Sequence, residues 1–157
     1  MPTGVLADQD EPHGAEARHF LRLAPVPAST SAARRFVREH APPLPEETGE
    51  SLVLLTSELV TNAVLHARTT IEVGLVVGHL SLAVGVHDED LLTDLQDPYA
   101  DREGGWGLGL VEALADAWAS TPHPEGGKTV WFRLLRGDAP VVPDGAAARD
   151  DHLRRSA

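Results

Sequence analysis

Glu58, Asn62 and His66 stand at i, i+4 and i+8 within Ser51–Ala67, SLVLLTSELVTNAVLHA. A carboxylate only accepts hydrogen bonds, an amide both accepts and donates, and either can hold a metal ion or its waters. At 100° per residue the three fall on one line of a helix. Leu54 and Leu65 flank that line on one side and Leu55 and Leu59 on the other, so polar groups run through an apolar surface. A carboxylate or amide buried there costs several kcal/mol unless something satisfies it. The alternative is an ordinary polar stripe satisfied by a neighbouring loop, and the helix by itself leaves both open.

A second stretch with chemistry in it is Glu103–Leu110, EGGWGLGL, with glycines at 104, 105, 107 and 109 opening onto a helix. Glycine lets backbone approach a ligand closely, and a helix N-terminus offers free N–H groups to an anion. The spacing is neither the dinucleotide G-x-G-x-x-G nor a P-loop, since no Lys-Ser/Thr pair follows. A flexible turn before a helix is the competing reading. Between the two stretches lies His87-Asp88-Glu89-Asp90 at the end of a strand pattern. Adjacent strand residues point to opposite faces, so such a run rarely converges on one metal ion.

The elements that must position these groups follow from periodicity. Residues 1–18 are polar and aperiodic and read as a disordered arm. His19–Ala24 alternates as a short strand, and Ser29–His40 reads as a capped helix with Ala32, Ala33, Phe36 and Val37 on its apolar stripe. A PPLP connector, Pro42–Pro45, leads into the long helix. The period then changes to two: Thr70–Val77 and Leu80–His87 are β-branched and joined at Gly78-His79, a hairpin signal. Asp88–Gly105 reads as an acidic loop, Gly107–Ala119 as a helix, Ser120–Gly127 as a turn, and Lys128–Leu135 as a strand. Residues 137–157 read as a disordered tail, leaving one domain over 19–136. The order β-α-α-β-β-loop-α-(β)-β predicts an α+β two-layer sandwich, with a mixed, mostly antiparallel sheet and helices on one face.

Composition narrows the classes. The chain has 157 residues, 42% of them apolar, enough for one core. It has no cysteine, which excludes disulfides and thiolate metal sites and fits a reducing cytoplasm. No apolar run is long enough for a membrane span and the N-terminus lacks the form of a secretion signal. A net charge of −11 argues against nucleic acid as the main partner. Acid is concentrated in Asp88–Glu103, where seven carboxylates face Arg102 alone, while Lys128 is the single lysine.

Taken in order, the Glu58/Asn62/His66 helix, Asp88 at a strand end, the glycine-rich loop and the GGKTVWF strand with Thr129 resemble the GHKL (Bergerat-fold) ATPases. The resemblance is to the anti-sigma-factor serine/threonine kinase branch and covers about Phe20–Leu135. It implies ATP and Mg2+ as ligands. Asn62 would hold Mg2+, and Glu58 would act as general base on a serine hydroxyl. Asp88 would accept the adenine amino proton, with Thr129 on the same edge. Gly105, Gly107, Leu108 and Gly109 would lie along the phosphates. Lys128, with Arg68 and Arg102, is a cation near the pocket, and His66 is expected as a core or supporting histidine ahead of a ligand contact. Asp90 stands where the family usually has a glycine, with Leu91 and Leu92 after it. The partner implied is a protein, a sigma factor or an anti-sigma-factor antagonist, and a homodimer is expected only because relatives are often dimers. Two other readings stand beside this one. The first is a non-catalytic module with a degenerate nucleotide pocket, its acidic lid steering an arginine-rich partner. The second, a detached histidine-kinase ATPase domain, lacks a preceding dimerisation helix with its phospho-acceptor histidine.

Overall fold

The computed structural model describes residues 5–66, 68–89 and 106–137. Eight elements appear in the order β1 (Ala17–Leu23), α1 (Ala28–His40), α2 (Glu46–His66), β2 (Ile71–Val77), β3 (Ser81–Asp88), α3 (Trp106–Leu114), β4 (Ala117–Pro122) and β5 (Lys128–Leu135). The strands form one sheet in the order β1-β2-β3-β5-β4. The expected α+β sandwich is what the chain builds. Its sheet, expected as mixed and mostly antiparallel, is antiparallel at all four pairings.

The helices cover one face. Phe36 and Val37 of α1, Leu52, Leu55, Leu59 and Val60 of α2, and Val111 of α3 share a core with Val73, Val84, Val86 and Phe132 of the sheet. Thr56, buried on the same side of α2, satisfies its hydroxyl by donating to Leu52 O at 2.7 Å. A buried hydroxyl with no acceptor would cost about 1–3 kcal/mol.

The opposite face is also covered, and here the sequence reading needs correction. Residues 5–18, assigned to a disordered arm, form a strap across the outer face of the sheet and the start of β1. Val5 and Leu6 are buried, and Leu6 packs with Val76, Ala83 and Trp131. Gly74 and Gly85 sit opposite each other in the β2–β3 register. Side chains there would press on Val5 and Leu6 at 3.0–3.1 Å. Two facing glycines thus make the slot that the strap fills. With both faces covered, the central strands β2 and β3 are buried almost throughout.

Smaller differences have local causes. Ser29 does not cap α1; it lies inside the helix, buried, and donates to Ala24 O at 2.6 Å. The β2–β3 turn has His79 and Leu80 at its tip, with Gly78 N–H donating to Ser81 O, one residue later than Gly78-His79. The helix expected over Gly107–Ala119 stops at Leu114, and Trp118 belongs to β4, paired with Phe132. No helix among the described residues is long and apolar enough to cross a membrane.

Candidate functional site

α2 is acidic at its first turn, Glu46 and Glu47, where the helix dipole favours negative charge. It runs 21 residues across the sheet. Its buried face ends at Leu55 and Leu59, while Leu54 and Leu65 are 40% and 60% exposed. Glu58 and Asn62 lie between these two edges, both half-buried. The line therefore follows the rim of the core. His66, expected as a core or supporting group, is exposed at the last turn. Thr61, beside Asn62, meets Thr30 of α1 through a hydroxyl–hydroxyl hydrogen bond of 3.3 Å that ties the two helices.

Asp88 ends β3 and is 4% exposed. In the β3–β5 register it stands opposite Lys128, whose Nζ donates to Asp88 Oδ1 at 3.4 Å. Both side chains are nearly buried, at 5% and 11% exposure. Strand alternation puts them on the helix-covered face with Val86, Val84, Val130 and Phe132. A turn forces this meeting. Gly127 has φ +77°, and a Cβ there would lie 2.2 Å from Asp88 O, so only glycine lets β5 start against the end of β3.

Thr129 is placed elsewhere. It pairs with His87, one residue out of step with Asp88, and so faces the outer side of the sheet. There its hydroxyl donates to Val5 O at 2.8 Å and lies 2.6 Å from His123 Nε2 and 3.4 Å from His87 Nδ1. With its proton given to Val5, the Thr129 oxygen accepts from the histidines. The His87 and His123 rings meet edge to face with centroids 4.8 Å apart. Burial, and secondarily the neighbouring His87, pushes the His123 imidazole below its ordinary pKa. The expectation that Thr129 and Asp88 read one ligand edge together is therefore corrected: the sheet lies between them, and Lys128 is the residue beside Asp88.

Gly107, Leu108 and Gly109 fall in the first turn of α3, which packs against α2. A side chain at Gly109 would meet nothing within 4 Å. Gly105, Asp90 and most of the acidic segment lie outside the described residues. A cavity of about 560 Å³ is lined by Arg34 and Arg38 of α1 and by Leu52, Leu54 and Ser57 of α2, but by none of Glu58, Asn62 or Asp88. The Ser57 hydroxyl is buried there with no partner among the described residues.

What the site can hold follows from its donors. Glu58 and Asn62 offer oxygen to a hard cation, and no three His, Asp or Glu among the described residues are placed to cage one. That fits Mg2+, which typically takes one or two protein ligands and completes its shell with phosphate and water. A buried carboxylate and ammonium on the helix side offer an acceptor and a donor to a polar ligand edge.

The lysine at this position was visible in the sequence as a nearby cation. Its pairing with Asp88 was not, because it depends on the β3–β5 register. The model of the histidine kinase-like ATPase domain family matches residues 23–134, the span from the end of β1 to β5. No curated protein matches the chain.

Proposed function

The chain belongs to the histidine kinase-like ATPase domain family, and from that premise we propose that it binds ATP with Mg2+ and phosphorylates a serine or threonine of a partner protein, as an anti-sigma-factor type kinase. The observation that carries the reading is the pair Glu58 and Asn62. They lie one turn apart and half-buried on the rim of α2, the helix whose core residues cover the sheet face that holds Asp88. Phosphoryl transfer asks a protein chiefly to position its reactants and to stabilise charge. Asn62 holds Mg2+ through its amide oxygen, and Glu58 accepts the proton of the attacking hydroxyl. Asp88 accepts from the amino group of the base. The first turn of α3 presents N–H groups to the phosphates, with Gly107 and Gly109 keeping the approach clear. Mg2+, when bound, neutralises charge on the phosphate oxygens.

Calorimetric titration with ATP, with and without Mg2+, tests the binding half. Wild type is expected to bind in a Mg2+-dependent way and Asn62→Ala to lose that dependence; no heat and no thermal shift at millimolar ATP would sink the reading. For the transfer half, a partner labelled by the wild-type chain and radioactive ATP is presented to Glu58→Ala. Loss of a general base is expected to slow labelling about 10²- to 10⁴-fold with ATP binding nearly unchanged. Loss of binding in that variant would make Glu58 a structural or metal-holding residue instead.

A further inference from the structure

We propose that Lys128 is a specificity-determining residue of the nucleotide site, its ammonium donating to the ring acceptor of the base, N1 of adenine, while Asp88 accepts from the adjacent amino group. The inference rests on the nucleotide reading above and adds to it a second base-reading group. Three observations carry it. Asp88 and Lys128 occupy directly paired positions of β3 and β5, so their side chains leave the sheet on the same face. They are held at 3.4 Å with exposures of 5% and 11%, so an edge bound there is read with little competition from water. Thr129, the other polar residue at this strand start, points to the opposite face and is committed to Val5 and His123.

The chemistry is complementary without any proton moving. A carboxylate is an acceptor only and an ammonium a donor only. Adenine presents an amino donor next to a ring acceptor, so the two side chains match the two groups of that edge. The geometry also has a fixed source. The Gly127 turn holds the backbone of β5 against Asp88 O, which sets the Lys128 Cα opposite that of Asp88. The ammonium sits on a flexible stem with three donors, so it can give one to the base and keep another on the carboxylate.

The test compares ATP with 1-deaza-ATP, in which a C–H replaces N1, on the full chain by calorimetry. Wild type is expected to prefer ATP by roughly 10- to 100-fold, the range for a hydrogen bond from a charged donor. Lys128→Met is expected to bind ATP no more tightly than it binds 1-deaza-ATP, so that the preference collapses. Since this variant removes the ammonium from a buried carboxylate, Asp88→Asn/Lys128→Met serves as a charge-neutral companion and must also lack the preference. The wild-type comparison needs no variant at all. Equal binding of the two nucleotides to wild type, or a preference that survives in the variants, overturns the assignment of Lys128 and leaves ATP binding standing. No binding of ATP overturns the nucleotide reading and this inference with it.

Discussion

Thr129 joins three parts of the chain through one oxygen: it donates to Val5 O of the strap and lies within hydrogen-bond reach of His123 and His87. Replacing it by the isosteric Thr129→Val leaves the Val5 carbonyl and the His123 nitrogen without that partner in a buried place. Such a loss costs about 1–3 kcal/mol. Urea denaturation should show it, while ATP affinity should be unaltered, since the side chain is on the far side of the sheet from Asp88. A variant as stable as wild type but weak in ATP would restore Thr129 to the nucleotide site. The histidines add a pH dependence. His123 is held low by burial and then by His87, with Glu125 and Asp10 opposing; His19 is held low by burial and then by His40. A depressed histidine is neutral when folded and takes up its proton more readily when unfolded. Its contribution is therefore complete above about pH 6.5, the unfolded value, and is lost as pH falls through the lower folded value. Stability measured at pH 7.5, 6.5 and 5.5 should decline over the lower interval, and less steeply in His19→Asn/His123→Asn. Parallel profiles for the two proteins would remove these groups as the cause.

At the scale of elements, the strap and the sheet face beneath it fit as one unit. A methyl group at Gly85 would meet Leu6 Cγ, Thr129 Cγ2 and Val5 Cγ1 at 3.1 Å each. Overpacking of this kind costs typically about 1–3 kcal/mol, and two of the three neighbours belong to the strap. Gly85→Ala should destabilise the full chain, and most of that cost should vanish in a chain lacking residues 1–8. The coupling is read from a double-mutant cycle by denaturation. Additive effects would mean that the strap does not fill the slot. This unit was not legible in the sequence, for a physical reason. Val5-Leu6 is a two-residue apolar patch without period, and its burial depends on two glycines 11 residues apart that meet only after the β2–β3 hairpin has formed. The helix α2 was legible because its 3.6 period decides which side is buried, and the hairpin because its β-branched runs flank a turn signal, although its strands are buried on both faces. β4 was not: Ala117–Pro122 is a short edge strand held by its pairing with β5, and its first residues continue the apolar pattern of α3. The candidate site divides the same way. That Glu58 and Asn62 share one line of α2 could be read from helical spacing alone. Whether Lys128 or Thr129 stands beside Asp88 depended on a register between strands 40 residues apart, which a single-residue shift inverts.

For the molecule as a whole, charge is the property that no single element explains. A net charge of −11 is carried by a chain whose folded radius of gyration is about 15 Å for its length. At 0.01 M salt the Debye length is about 30 Å, so most of the excess carboxylates interact with one another; at 0.15 M it is about 8 Å, and only neighbours do. Self-repulsion of this kind opposes the compact state more than the expanded one. Salt also weakens favourable pairs such as Arg22–Glu72 and Arg18–Glu11. Exposed pairs contribute only about 0–1 kcal/mol each, however, and among the described residues they are few beside a net charge of −11. The Asp88–Lys128 pair is nearly buried and is screened much less. Relief of repulsion should therefore win, and the midpoint of thermal unfolding should rise between 0.01 M and 0.15 M sodium chloride at pH 7.5. Mg2+ at equal ionic strength separates general screening from a bound ion. Screening alone gives the same rise with either cation and in Asn62→Ala. An added rise with Mg2+ that Asn62→Ala removes would place a cation on α2 before any nucleotide is present. A midpoint that falls with salt would mean that the surface pairs outweigh the excess acid, and the charge argument would fail.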